Sequence, residues 1–106
     1  MEFKKIESGV LKTARDYSEK YGIEADADFA MHKLYEEVGE LSEAYLTYKK
    51  KSRPEKFTTE AEVKNKLAYE LADVAGIVMV IAEKLNIDLE DAINRKWIIK
   101  EWERKK

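Results

Sequence analysis

From Ala27 to Tyr48 the apolar residues Ala27, Ala30, Met31, Leu34, Val38, Leu41, Tyr45 and Tyr48 recur at three- and four-residue steps with no proline between them. A series of that length and period commits the stretch to one long amphipathic helix. The pattern is then nearly written again. Lys33-Leu34-Tyr35-Glu36-Glu37-Val38-Gly39-Glu40-Leu41 returns as Lys66-Leu67-Ala68-Tyr69-Glu70-Leu71-Ala72-Asp73-Val74, so Leu34 matches Leu67, Val38 matches Leu71, Glu37 matches Glu70 and Glu40 matches Asp73. Two helices therefore carry one design, an apolar stripe with an acid pair on its flank.

The rest of the chain reads the same way. Phe3, Ile6, Val10, Ala14, Tyr17 and Tyr21 predict a first helix that Gly22 stops. Asp26 caps the second, predicted over Ala27 to Lys50. Thr59 with Glu62 forms a capping box for a third, over Glu60 to Leu85, and after a turn at Asn86-Ile87, Asp88 and Asp91 open a fourth that can reach Glu103. Between the second and third helices, Lys49 to Phe57 holds four Lys, one Arg and the only Pro, the composition of an exposed basic connector or of a rim that attracts phosphate. The expectation is an all-α, four-helix-type bundle forming a single domain over residues 1–106.

Charge and composition narrow the function classes. Twenty basic against 22 acidic residues leave a net charge of -2, too little positive field to expect binding to duplex nucleic acid. No stretch has the length of a membrane span, and Met1-Glu2-Phe3-Lys4-Lys5 lacks the apolar core of a signal peptide, so a cytoplasmic protein is expected. Without cysteine, any metal must be held by oxygen or nitrogen.

Helix 3 leaves no polar face between Val74 and Ala82. A helix apolar all round must be covered all round. Part of Ile77, Met79 and Val80 is expected to be covered by a second copy, with Gly76 allowing close backbone approach there. After Trp97, Ile98, Ile99 and Trp102 leave the face set by Leu89 and Ile93, which also points to assembly.

On a helical wheel with Leu34 at zero, Glu37 falls near -60° and Glu40 near -120°, at about 100° per residue. Glu70 and Asp73 take the same angles from Leu67, whereas Glu36 and Glu43 point to the far side. Antiparallel packing through the stripes then brings both acid pairs to one side of the interface. Four carboxylates in a partly buried space repel one another, and desolvation adds to the cost. Hard divalent cations answer that charge best, Mg²⁺ foremost with Mn²⁺ as its substitute. A di-iron bundle would need Glu-x-x-His on two helices, and the only histidine, His32, lies near 160° on the polar side.

These residues carry a resemblance. Glu36-Glu37-x-x-Glu40 followed by Glu70-x-x-Asp73 resembles the signature of the MazG-type, all-α nucleoside triphosphate pyrophosphohydrolase superfamily, MazG-like and dCTP pyrophosphatase-like proteins included. Glu-Glu-Val-Gly-Glu-Leu, the apolar run after Asp73, and Leu-Asn-Ile-Asp-Leu-Glu-Asp-Ala extend the likeness over about residues 26 to 100. The resemblance implies a homodimer or homotetramer, Mg²⁺ held by Glu37, Glu40, Glu70 and Asp73, and cleavage between the α and β phosphates to a nucleoside monophosphate and pyrophosphate. It further implies that Glu37 or Glu40 handles the attacking water, and that Lys96 contacts phosphate. Lys33 is a second phosphate candidate, with pairing to Glu37 as its simpler role. Where relatives often carry Asn, four residues after that Lys, this chain has Lys100.

The function expected is a house-cleaning hydrolase of non-standard or damaged nucleoside triphosphates. A phosphoribosyl-ATP pyrophosphohydrolase is the alternative within the same likeness, and a non-catalytic helical dimerisation module is the alternative from another class. Base selection is expected from helix 1 and the start of helix 2. There Tyr17, Tyr21 and Phe29 are candidates to stack on a base, although aromatics at helical spacing commonly serve the core.

Overall fold

The computed structural model describes residues 1–54 and 58–104, with Arg104 as backbone only. It is helical throughout its ordered elements: α1 (Phe3–Tyr21), α2 (Ala27–Tyr48), α3 (Glu60–Lys84), α4 (Leu89–Ile93), a π turn over Asn94–Ile98, and α5 (Glu101–Arg104). Among the described residues there is no strand, and no helix is long and apolar enough to cross a membrane. Glu55, Lys56 and Phe57 of the basic connector lie outside the described residues.

The first three helices start and stop where their caps dictate. The Asp26 carboxylate accepts from the Phe29 amide at 2.9 Å, and the Thr59 hydroxyl accepts from the Glu62 amide at 3.2 Å. Gly22 ends α1 in the left-handed region at φ 62°, where Ile23 N–H reaches back to the Ser18 carbonyl. Asn86 ends α3 in the same way, with Ile87 N–H bonded to the Ala82 carbonyl. Helix α2 stops at Tyr48, short of the expected Lys50, because Lys50 itself adopts φ 57°.

Helices α2 and α3 make the principal contact, and α1 packs on α3. Two cavities fix the direction of the α2–α3 pair. Phe29 and Lys33 share one with Gly76 and Val80, whereas Ala44 and Thr47 share the other with Glu62 and Val63, so the two helices run antiparallel. Val80 and Ala82 are buried within the single chain, as are Ala30 and Ala44. This corrects the expectation that Val80 needs a second copy: α1 covers it. Gly76 likewise faces α1, since a Cβ built there would stand 3.5 Å from Val10 Cγ1.

The expected fourth helix is broken. After α4, Ile99 N–H bonds to the Asn94 carbonyl at 2.9 Å, a five-residue step that closes the π turn. Lys100 then takes φ 57° and interrupts the helix before α5. The principal contacts of residues 89–104 are with one another.

Candidate metal centre

The antiparallel pairing carries out the sequence arithmetic. One carboxylate oxygen each from Glu37 on α2 and from Glu70 and Asp73 on α3 lie within 4.8 Å of one another. Burial grades steeply across the set: Glu70 is 4% exposed, Glu37 is half-buried and Asp73 faces solvent. Glu40 borders the cluster rather than joining that set of three, and its charge acts on both Glu37 and Lys66.

The electrostatics are unbalanced. Lys66 Nζ lies 2.9 Å from Glu70 Oε1, an i,i+4 contact that holds the lysine above its usual pKa. The second oxygen of the same carboxylate, Oε2, is buried with no hydrogen-bond partner, and so is Glu37 Oε2. Buried carboxylate oxygens without partners are costly. Desolvation, then the charges of Glu40, Asp73 and Glu70, push the Glu37 pKa up, and Lys33 offsets only part of this. Lys33 has another partner: its ammonium donates to Glu36 Oε2 at 2.8 Å, so the pairing expected with Glu37 is made with Glu36 instead. Glu36 is exposed on the polar side, as its angle required.

A cavity opens on each side of the acids. The larger, about 830 Å³, lies between α1, α2 and α3, and its walls include Glu37, Asp73, Lys33, Phe29, Tyr17 and Ile77. Its volume is in the range of small-molecule sites. The smaller, about 430 Å³, runs along the other end of the α2–α3 pair past Glu40, Glu70, Lys66, Thr47 and Thr58. Tyr17 and Tyr21 are both more than half exposed, with ring centroids 4.8 Å apart. They do not serve the core of this chain.

Lys96 stands apart from the acids. It belongs to the π turn and lines neither cavity, and its ammonium sits 4.4 Å from the centre of the Trp102 ring, whose Nε1–H donates to the Lys96 carbonyl at 3.0 Å. Lys66 is the basic residue that touches the cluster. Its i,i+4 spacing to Glu70 was legible as helix pairing, but nothing in that spacing marked the carboxylate it holds as buried.

The donor set suits a hard cation: all oxygens, two of them buried and unpartnered, with one internal ammonium close by. Fold and site together define an all-α protein with an acidic cluster between two cavities. No family model matches the chain, and no solved structure matches it. Among curated proteins, it is similar to an uncharacterized protein of Bacillus subtilis (strain 168), YvdC, with 39% identity over 62 residues. That match takes in 57% of this chain and spans 58% of the Bacillus protein's length.

Proposed function

We propose that this protein is a Mg²⁺-dependent nucleoside triphosphate pyrophosphohydrolase, cleaving between the α and β phosphates to release a nucleoside monophosphate and pyrophosphate. The observation that carries the reading is the pair of buried, unpartnered oxygens, Glu37 Oε2 and Glu70 Oε2, within a cluster of three acids. Carboxylates left in that state call for a cation. Glu37, Glu70 and Asp73 would hold Mg²⁺ or Mn²⁺, with Glu40 beside them. Such an ion, when bound, offsets the charge on phosphate oxygens and makes water a better nucleophile.

The chain's own groups divide the remaining work. Lys66 fixes the orientation of the Glu70 carboxylate through the 2.9 Å contact. Glu40, at the border of the cluster, takes the proton of the attacking water as the P–O bond forms and the bridging oxygen leaves with pyrophosphate. Lys33, on the wall of the larger cavity beside Glu37, offers positive charge to the phosphates. Phe29 and Tyr17 line the same cavity and receive the base. Lys96 has no part in this account within one chain. We take the working form to be a homodimer or homotetramer serving the cytoplasmic nucleotide pool, with non-standard triphosphates as the substrate class.

The test is pyrophosphate release from a panel of canonical and modified nucleoside triphosphates, phosphoribosyl-ATP included, with and without Mg²⁺. Metal-dependent release that disappears in Glu70→Gln is the expected result. No release from any member, together with a melting temperature indifferent to Mg²⁺, would instead favour a non-catalytic helical module.

A further inference from the structure

We infer that Lys66 is the chain's own counter-ion for the acid cluster, and that uptake of a divalent cation is an exchange in which the ammonium leaves Glu70 and swings one turn back along α3 to Glu62. The inference rests on the reading of the acids as a cation site. It concerns what the chain does as that site fills, and it needs no nucleotide.

Glu62, Lys66 and Glu70 stand four residues apart on α3, and all three line the smaller cavity. Lys66 thus has one carboxylate a turn behind it and another a turn ahead. Helix geometry alone favours the first, because a glutamate four residues before a lysine pairs better than one four residues after it. The structure shows the other choice, with Lys66 Nζ 2.9 Å from Glu70 Oε1. Something outweighs the helix's preference.

Charge accounts for it. The Glu70 side chain is 5% exposed and its second oxygen has no partner, whereas Glu62 faces solvent, where water serves its charge. The hydrogen bond to Glu70 leads the causes that hold the Lys66 pKa up, and the charges of Glu70, Glu40 and Asp73 add to it. Lys66 therefore answers the cluster as a whole, and not one glutamate.

The same balance turns when a cation arrives. Mg²⁺ sits about 2.1 Å from a carboxylate oxygen. With twice the charge at that distance, its attraction to the carboxylate is about 2.8 times that of an ammonium at 2.9 Å in the same medium. Lys66 then loses its reason to stay and is repelled. Its side chain is 68% exposed, so it can turn through solvent without leaving a buried place of its own. Glu62, on the same cavity wall and in the order the helix prefers, receives it. Lys66 sets the Glu70 carboxylate in place until the cation takes over that task, and in doing so it holds down the affinity of the site.

Calorimetric titration of the full chain with MgCl₂, without nucleotide, tests this. Lys66→Met has no ammonium to displace and is expected to bind Mg²⁺ about tenfold more tightly than the wild type. Glu62→Gln takes away the place to which the ammonium moves, and is expected to bind Mg²⁺ about twofold more weakly. In the double variant the effect of Glu62→Gln should vanish, since it acts only through Lys66. Should Lys66→Met fail to fold without metal, Lys66→Gln, which keeps an amide donor for Glu70, takes its place in the same cycle. An effect of Glu62→Gln that persists without Lys66 is the plain loss of a nearby negative charge and overturns the exchange. So does a Lys66 variant that binds Mg²⁺ no more tightly than the wild type. Either result alongside normal uptake by the wild type defeats the inference alone, whereas a wild type that takes up no Mg²⁺ defeats the reading of the cluster as well.

Discussion

Lys66 Nζ contacts Glu70 Oε1 at 2.9 Å while Oε2 of the same carboxylate is buried without a partner. One oxygen is satisfied from within the chain and the other is left for something else. Because the lysine side chain is two-thirds exposed and the carboxylate is buried, the contact matters more to Glu70 than to Lys66. Losing it leaves a buried carboxylate with no partner on either oxygen.

Lys66→Met should therefore destabilise the metal-free protein by about 1–3 kcal/mol, the usual cost of a buried acceptor stripped of its donor. Added Mg²⁺ should recover a larger share of the melting temperature in this variant than in the wild type, since the ion then answers a greater charge. Thermal denaturation with and without Mg²⁺ measures both. A variant as stable as the wild type without metal would mean that Glu70 is solvated in a way its burial does not allow.

Metal binding itself has a mass-action signature. An ion that binds only the folded state stabilises by about 2.7 kcal/mol at one hundred times its dissociation constant. Glu70→Gln and Asp73→Asn should each remove most of that gain, whereas Glu36→Gln, exposed on α2 and lining neither cavity, should keep it. Titrating the melting temperature against Mg²⁺ separates them. Equal responses in all three variants would place the ion elsewhere.

The glycines offer a check on the packing. At Gly76 a Cβ would meet Val10 Cγ1 at 3.5 Å, ordinary van der Waals contact, so Gly76→Ala should stabilise by about 0.5–1 kcal/mol through helix propensity. At Gly22 the space is open but φ is 62°. Gly22→Ala should thus cost about 1 kcal/mol in backbone strain. Chemical denaturation of the two variants should give shifts of opposite sign.

The same residues mark what can be read before any coordinates exist. The caps Asp26 and Thr59 and the stop at Gly22 are local chemistry, and α1 to α3 begin and end at or within two residues of the expected positions. The meeting of Glu37, Glu70 and Asp73 was legible because two equal angular offsets constrain an antiparallel pair. A wheel, however, gives direction and not neighbours. It could not tell that α1, rather than a second copy, covers Val80, nor that Glu70 would be buried more deeply than Glu37 at the same angle. Helix 4 misleads for a different reason: its apolar period runs on through Trp102, and such a period carries no sign of the π turn over Asn94–Ile98 or of the left-handed Lys100. Lys96 belongs to that π turn, where it lies against Trp102 and lines neither cavity.

Glu37 connects the cluster to pH. Its pKa is raised, first by desolvation and then by Glu40, Asp73 and Glu70, so the folded state holds its proton more tightly than the unfolded chain does. For an acid shifted in that direction, the stabilising contribution is fully present below the unfolded value near 4.5 and is lost as pH rises through the folded value. At neutral pH the ionised Glu37 is thus a burden on the metal-free protein. Glu37→Gln, which keeps the shape and removes the charge, should melt at a higher temperature than the wild type near pH 7, with the gap closing toward about pH 4. Mg²⁺ should reverse the order, raising the wild type above the variant, because the charge that costs stability without the ion is the charge that holds it. A variant less stable than the wild type at neutral pH without metal would show that Glu37 is stabilised by a partner in the folded chain, and the case for a cation between α2 and α3 would lose one of its two unpartnered oxygens.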